Sequence, residues 1–139
     1  MNEIQSGKLW IGNALDVREP QQLFDVGIRA VVDLAYEESP AQLPREFVYC
    51  RFPIVDAGGN DPEVLALAVE TVKNLLEVDV PTLVGCSAGM SRSPLIAAFA
   101  LSQYRKCRPD EAIQEIAAIR SLELNDQLWG QLTRIVPTK

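Results

Sequence analysis

The chain has no histidine and only three cysteines among its 139 residues. Zinc sites are built from histidine and cysteine, usually with close ligand pairs. With no histidine and no cysteine pair at close spacing, no metal site is expected and no cofactor is called for. An odd cysteine count without a secretory leader also speaks against a disulfide framework, so Cys50, Cys86 and Cys107 are expected as reduced thiols. Positive charge is scarce: 13 Lys and Arg stand against 19 Asp and Glu, a net charge of −6. Sequence-independent binding to nucleic acid or to an anionic membrane draws on a basic face that displaces counterions, so neither partner is expected. No apolar run approaches the ~20 residues of a membrane span, and Met1 to Ser6 lacks the charged and apolar regions of a signal peptide. A cytoplasmic protein is expected. Internal repeats, low-complexity stretches and linkers are absent too. With 47% hydrophobic residues, residues 1–139 are expected to form one domain with a core of its own, and a monomer is favoured.

What is there is an alternation of strand and helix signals. β-rich runs occur at Lys8 to Gly12, Ile28 to Leu34, Phe47 to Ile54 and Thr82 to Gly85. A short amphipathic piece from Pro20 to Val26 stops at Gly27, and Glu37 to Arg45, with two prolines, reads as loop. Asp61 is a natural N-cap ahead of Pro62, opening a helix that runs to about Val78 with apolar positions at helical spacing. Three helices close the chain, at about Pro94 to Lys106, Pro109 to Arg120 and Asp126 to Ile135, with Pro109 and Asn125 as start signals. The pattern predicts an α/β fold: a central, mainly parallel sheet flanked by helices. Ligands of such sheets bind at the carboxyl ends of the strands, where Cys86 falls.

The segment from Val84 to Pro94 holds a thiol, two glycines, three hydroxyls and an arginine between an apolar strand and an apolar helix. The five residues between Cys86 and Arg92 can curl so that their amides face inward, and the helix that follows adds its positive end, a combination suited to an oxyanion. The same field favours a nucleophilic thiolate at Cys86. Arg92 supplies a planar fork for two phosphate oxygens. Ser87, Ala88, Gly89, Met90 and Ser91 are read as phosphate-binding through their backbone amides, with Gly89 allowing a positive φ or a close approach. The Ser93 hydroxyl is placed either to donate to the Cys86 sulfur or to cap the helix ahead of Pro94, and both roles are compatible.

This Cys-x5-Arg run, continued as Ala-Gly-x-Ser-Arg-Ser, resembles the dual-specificity phosphatases among the cysteine-dependent phosphatases. Gly7 to Asn13 looks like the family's opening strand, Gly27 to Leu34 like its second, and Arg108 to Leu132 is similar to its closing helices. The resemblance implies a cysteinyl-phosphate mechanism with an aspartate on a loop before the catalytic strand as general acid. Two residues qualify, Asp56 and Asp61. Asp56 lies 30 residues before Cys86, which suits the loop, helix and strand that intervene, whereas Asp61 already has a helix to cap, so Asp56 is favoured. Asp33, Arg29 and Arg120 are within conceivable reach of the rim, and ordinary salt bridges explain them equally well.

Two departures from the family pattern stand out. Gly85 occupies the place of the histidine that usually precedes the nucleophile, which leaves the loop amides, the helix end and Arg92 to favour the thiolate and implies lower activity. The loop lacks a lysine between Cys86 and Arg92, which removes one feature associated with polyphosphorylated lipid or inositol substrates in related enzymes. The substrate expected is a phosphorylated protein or a small phosphomonoester: phosphotyrosine first, phosphoserine and phosphothreonine as the weaker inference. The alternative is a phosphate-binding pseudophosphatase module with little turnover.

Overall fold

Side chains of a strand alternate between the two faces of its sheet, and here both faces are apolar. A computed structural model describes residues 1–137. Its five-stranded sheet has the order β1-β2-β5-β3-β4, with β1 Asn2–Gln5, β2 Leu9–Gly12, β3 Ala30–Ala35, β4 Val48–Ile54 and β5 Thr82–Gly85. All pairings are parallel except β1 with β2. In the three central strands, Trp10, Leu83 and Val31 are in register on one face, while Ile11, Val84 and Val32 are in register on the other. All six are buried, as expected of parallel strands covered on both sides.

The first face is closed by α1 Ala14–Val17 and α2 Pro20–Val26, through Val17, Leu23, Ile28 and Phe47. The second carries α3 Pro62–Glu77, α4 Arg92–Arg105, α5 Pro109–Ile119 and α6 Asp126–Ile135. Helix α4 is the central one: every residue from Arg92 to Ser102 is buried, and it packs against both α3 and α5. Phe99 meets Trp129 of α6 edge-on, with ring centroids 5.2 Å apart. Truncating so deeply buried an aromatic ring typically costs about 3–5 kcal/mol. Among the described residues, no helix is long and apolar enough to cross a membrane.

Local signals act as the sequence indicates. Gly27 ends α2 in the left-handed region at φ 95°, the Asp61 side chain accepts from the Glu63 N–H with Pro62 in the first turn of α3, and Asn125 caps α6 through the Leu128 N–H. Helix α4 begins two residues before Pro94, at Arg92, so Ser93 lies inside the helix and is not its cap. Two elements were not expected. The polar strand β1 is held by a hairpin in which Gly7 takes φ 68°. The single-turn α1 is fixed by a reciprocal capping box between Asn13 and Asp16.

Candidate active site

Strand β5 delivers Cys86 to the carboxyl end of the sheet centre, and residues 86–91 bend back into α4. Gly89 takes φ 73°, and a Cβ there would lie 2.6 Å from the Gly12 carbonyl oxygen and against the Arg120 guanidinium. Only glycine satisfies both demands. The Gly89 N–H donates to Cys86 Sγ at 3.2 Å, while among the described residues the amides of Ser87, Ala88, Met90 and Ser91 meet no protein acceptor. Arg120 grips the loop from behind: its Nε donates to the Gly89 carbonyl at 2.7 Å and its Nη1 to Asn2 Oδ1 at 2.7 Å. The unexpected strand β1 thus contributes to the loop's support.

Cys86 is 3% exposed and Arg92 5%, at a cavity of about 160 Å³ lined by Asp56, Cys86, Ser87, Ala88, Met90, Ser91, Arg92 and Glu123. Arginine has five N–H donors. Nη1 gives one to the Ile54 carbonyl at 2.8 Å and one to Glu37 Oε1 at 2.7 Å, and Nη2 gives one to Glu37 Oε2 at 2.6 Å. Three donors are therefore committed, and the two that remain, on Nε and Nη2, form the side-on fork that matches two oxygens of a phosphate. Burial works against the Arg92 charge, but the hydrogen bonds to Glu37 together with the electrostatic influence of Cys86, Glu37 and Asp56 outweigh it and raise the pKa. In return the Arg92 hydrogen bonds hold the Glu37 carboxyl down at about 2. The Ser87 hydroxyl lies 2.6 Å from Glu37 Oε2 and 2.9 Å from Glu38 Oε2, tying the loop after β3 to the loop between β5 and α4.

Asp56 faces this cavity from the segment after β4. Its Oδ1 accepts from Ser91 Oγ at 2.6 Å, and its carbonyl accepts from Asn125 Nδ2 at 3.0 Å. Asn60, buried, braces the same segment by bonding the Val55 N–H and the Val55 and Ala57 carbonyls, and Gln131 of α6 accepts from the Asn60 N–H. Asp61 does not line the cavity. Among the described residues Ser93 Oγ is buried without a hydrogen-bond partner, so none of them takes its proton.

Of the rim candidates, Asp33 accepts from the Tyr49 hydroxyl at 2.7 Å. Tyr49 in turn accepts from the Ala41 N–H, which steadies the loop carrying Glu37. Arg29 precedes β3 and so lies at the opposite end of the parallel strands from Cys86. Glu37 and Glu38 are site residues that sequence reasoning did not single out, and Asn125, expected only as a helix start, also reaches the site through the Asp56 carbonyl. Among the described residues, no group of three or more Cys, Asp or Glu is placed to hold a metal ion.

The family model for the dual specificity phosphatase catalytic domain matches residues 9–136. No curated protein matches the sequence. Among solved structures, human DUSP28 superposes with a TM-score of 0.85 at 22% identity, covering 97% of this chain and 94% of that one. A mouse putative dual specificity phosphatase complexed with zinc tungstate gives 0.84 at 24% identity, covering 96% and 84%. A human tyrosine phosphatase-like serine/threonine/tyrosine-interacting protein gives 0.82 at 20% identity, covering 95% and 92%. At these identities the likeness is one of fold.

Proposed function

We propose that this chain, which belongs to the dual specificity phosphatase family, hydrolyses phosphate monoesters through a cysteinyl-phosphate intermediate, residues 1–139 acting as one catalytic domain. The observation that carries this reading is that Cys86, the side-on fork of Arg92 and Asp56 line one cavity. The fork and the free loop amides take the non-bridging oxygens and neutralise the charge of the transition state. The Cys86 thiolate attacks phosphorus, the P–S bond forms as the ester P–O bond breaks, and Asp56 gives its proton to the departing oxygen. Water then attacks the cysteinyl phosphate, Asp56 takes the water's proton, and sulfur leaves as thiolate while orthophosphate is released. Ser93, whose hydroxyl proton none of the described residues takes, donates to the departing sulfur. An oxyanion ligand accords with the zinc tungstate bound to the mouse relative.

The substrate we favour is phosphotyrosine in a protein, with phosphoserine and phosphothreonine secondary, acted on in the cytoplasm by a monomer. The second reading, a phosphate-binding module with little turnover, draws on Gly85 standing where the family usually has histidine. One assay separates the two. Hydrolysis of an aryl phosphate in EDTA, abolished by Cys86→Ser while vanadate still binds, is the expected result; phosphopeptide binding by the wild type without turnover would sink the enzyme reading.

A further inference from the structure

Ser91 holds the position just before the first residue of α4, where a serine ordinarily turns its oxygen to the helix's own free amides. Here it makes no such cap. Ser91 is buried, and its hydroxyl donates to Asp56 Oδ1 at 2.6 Å and accepts the Asn125 N–H at 3.1 Å. The Asn125 side chain closes the ring: Nδ2 donates to the Asp56 carbonyl while Oδ1 caps α6.

A hydroxyl has one proton and two lone pairs. With one lone pair taken by the Asn125 amide, the proton is directed at Asp56 Oδ1. That oxygen is an acceptor both in the carboxylate and in a carboxylic acid protonated on Oδ2. We infer that Ser91, locked by Asn125, is a positioning residue that reserves Oδ1 as acceptor and makes Oδ2 the oxygen that carries the proton in both chemical steps. In the first step Oδ2–H faces the leaving oxygen. In the second the same Oδ2 takes the proton of the attacking water, and Oδ1 need not move. Ser91 is therefore bifunctional, with its backbone in the phosphate loop and its side chain on the acid. The inference rests on the proposed role of Asp56.

The test measures kcat/KM for a series of aryl and alkyl phosphates spanning good and poor leaving groups. Impaired proton delivery steepens the dependence on leaving-group quality, whereas general damage to the fold lowers all substrates together. Ser91→Ala should lose about tenfold on phosphotyrosine, the scale of a hydrogen bond to an ionisable group, and under threefold on an activated aryl ester. Vanadate affinity should be retained, because the loop amides are unchanged. Ser91→Thr, which keeps the hydroxyl, should restore the wild-type dependence. Asn125→Asp, which keeps the α6 cap but loses the donor to the Asp56 carbonyl, should steepen the series less, and it serves if Ser91→Ala does not fold. Adding Ser91→Ala to Asp56→Asn should cost nothing further on poor leaving groups. A parallel loss across the series, or a Thr variant as steep as Ala, would overturn the role of Ser91 while Asp56→Asn still steepens the series. If Asp56→Asn leaves the series unchanged, the proposed role of Asp56 itself is wrong.

Discussion

Gly85 lies against Val17: a Cβ built on Gly85 would collide with Val17 Cγ2, and both residues are buried. Gly85 ends β5 in register with Gly12 of β2, where a Cβ would meet Asp16 Oδ2 at 2.6 Å. The two glycines let the single-turn α1 sit across the strand ends, and its Val17 fills the space beside Gly85. The missing histidine is thus a matter of packing, since an imidazole at position 85 has no room while Val17 is present. Gly85→Ala should destabilise the fold by about 1–3 kcal/mol through overpacking, and Val17→Ala should destabilise it by opening a cavity. The double variant should be more stable than the sum of the singles by about 1 kcal/mol or more. Denaturant unfolding checks this, and strict additivity would show that the contact does not govern position 85.

Glu37 is ionised well below the usual carboxylate range because Arg92 hydrogen-bonds it, its pKa falling from 4.5 to about 2. A depressed carboxyl contributes stability above its unfolded pKa and loses it as pH falls through the folded one. The gap in Tm between wild type and Glu37→Gln should therefore be constant above pH about 4.5 and close between about 4.5 and 2. Because half of the Glu37 side chain is exposed, that gap should correspond to under about 1 kcal/mol. Any fall of activity on acidification above pH 4.5 belongs to another group, so Glu37→Gln should leave the position of that limb in place. A limb displaced by the substitution would make Glu37 a titrating participant instead of a support for Arg92.

These two contacts also show what the sequence could and could not disclose. Asp61-Pro62, Gly27, Pro109 and Asn125 were legible because capping chemistry is local, and the segment from Cys86 to Arg92 stood out because its motif is contiguous in the chain. Strand β1 was not, since Asn2–Gln5 is polar and half-buried and shows no alternation of apolar residues. Helix α1, at four residues, spans barely one helical turn, too little for a repeat of apolar positions to show. Glu37 sits in a proline-containing stretch with no pattern of its own, and its partner Arg92 is 55 residues away. Only the parallel pairing of β3 with β5 brings the two together. The link from Asn125 to Asp56, 69 residues apart, depends in the same way on α6 packing beside the segment that follows β4, through Gln127 to Gly58 and Gln131 to Asn60.

Peroxide should distinguish the three thiols. Burial raises the pKa of Cys50, and burial followed by the nearby Glu111 charge raises that of Cys107, so both hold less of the reactive thiolate at neutral pH. Cys86 lines the cavity with the Gly89 N–H and the start of α4 beside it. Mild oxidation should modify Cys86 first and stop turnover, with vanadate protecting it and a thiol reductant restoring activity from the sulfenic stage. Peptide mass spectrometry that finds Cys50 or Cys107 modified ahead of Cys86 would contradict this order.

Asp56 and Asp61 are five residues apart and face different tasks. The Asp56 carboxylate lines the cavity and accepts from Ser91, whereas Asp61 Oδ1 accepts from the Glu63 N–H at the start of α3. Asparagine preserves the hydrogen-bond acceptor at either position, so each substitution isolates the loss of a transferable proton. Asp56→Asn should slow hydrolysis of phosphotyrosine or an alkyl phosphate by about 10²–10⁴-fold, the usual reach of general acid catalysis. An activated aryl ester, whose leaving oxygen needs no proton, should be far less affected. Asp61→Asn should leave both rates and the stability of α3 nearly unchanged, because asparagine caps a helix as well as aspartate does. A large loss confined to Asp61→Asn would reverse the assignment. If neither substitution slowed the poor leaving group, proton delivery would not be a protein function here, and the phosphate-binding module would become the better reading.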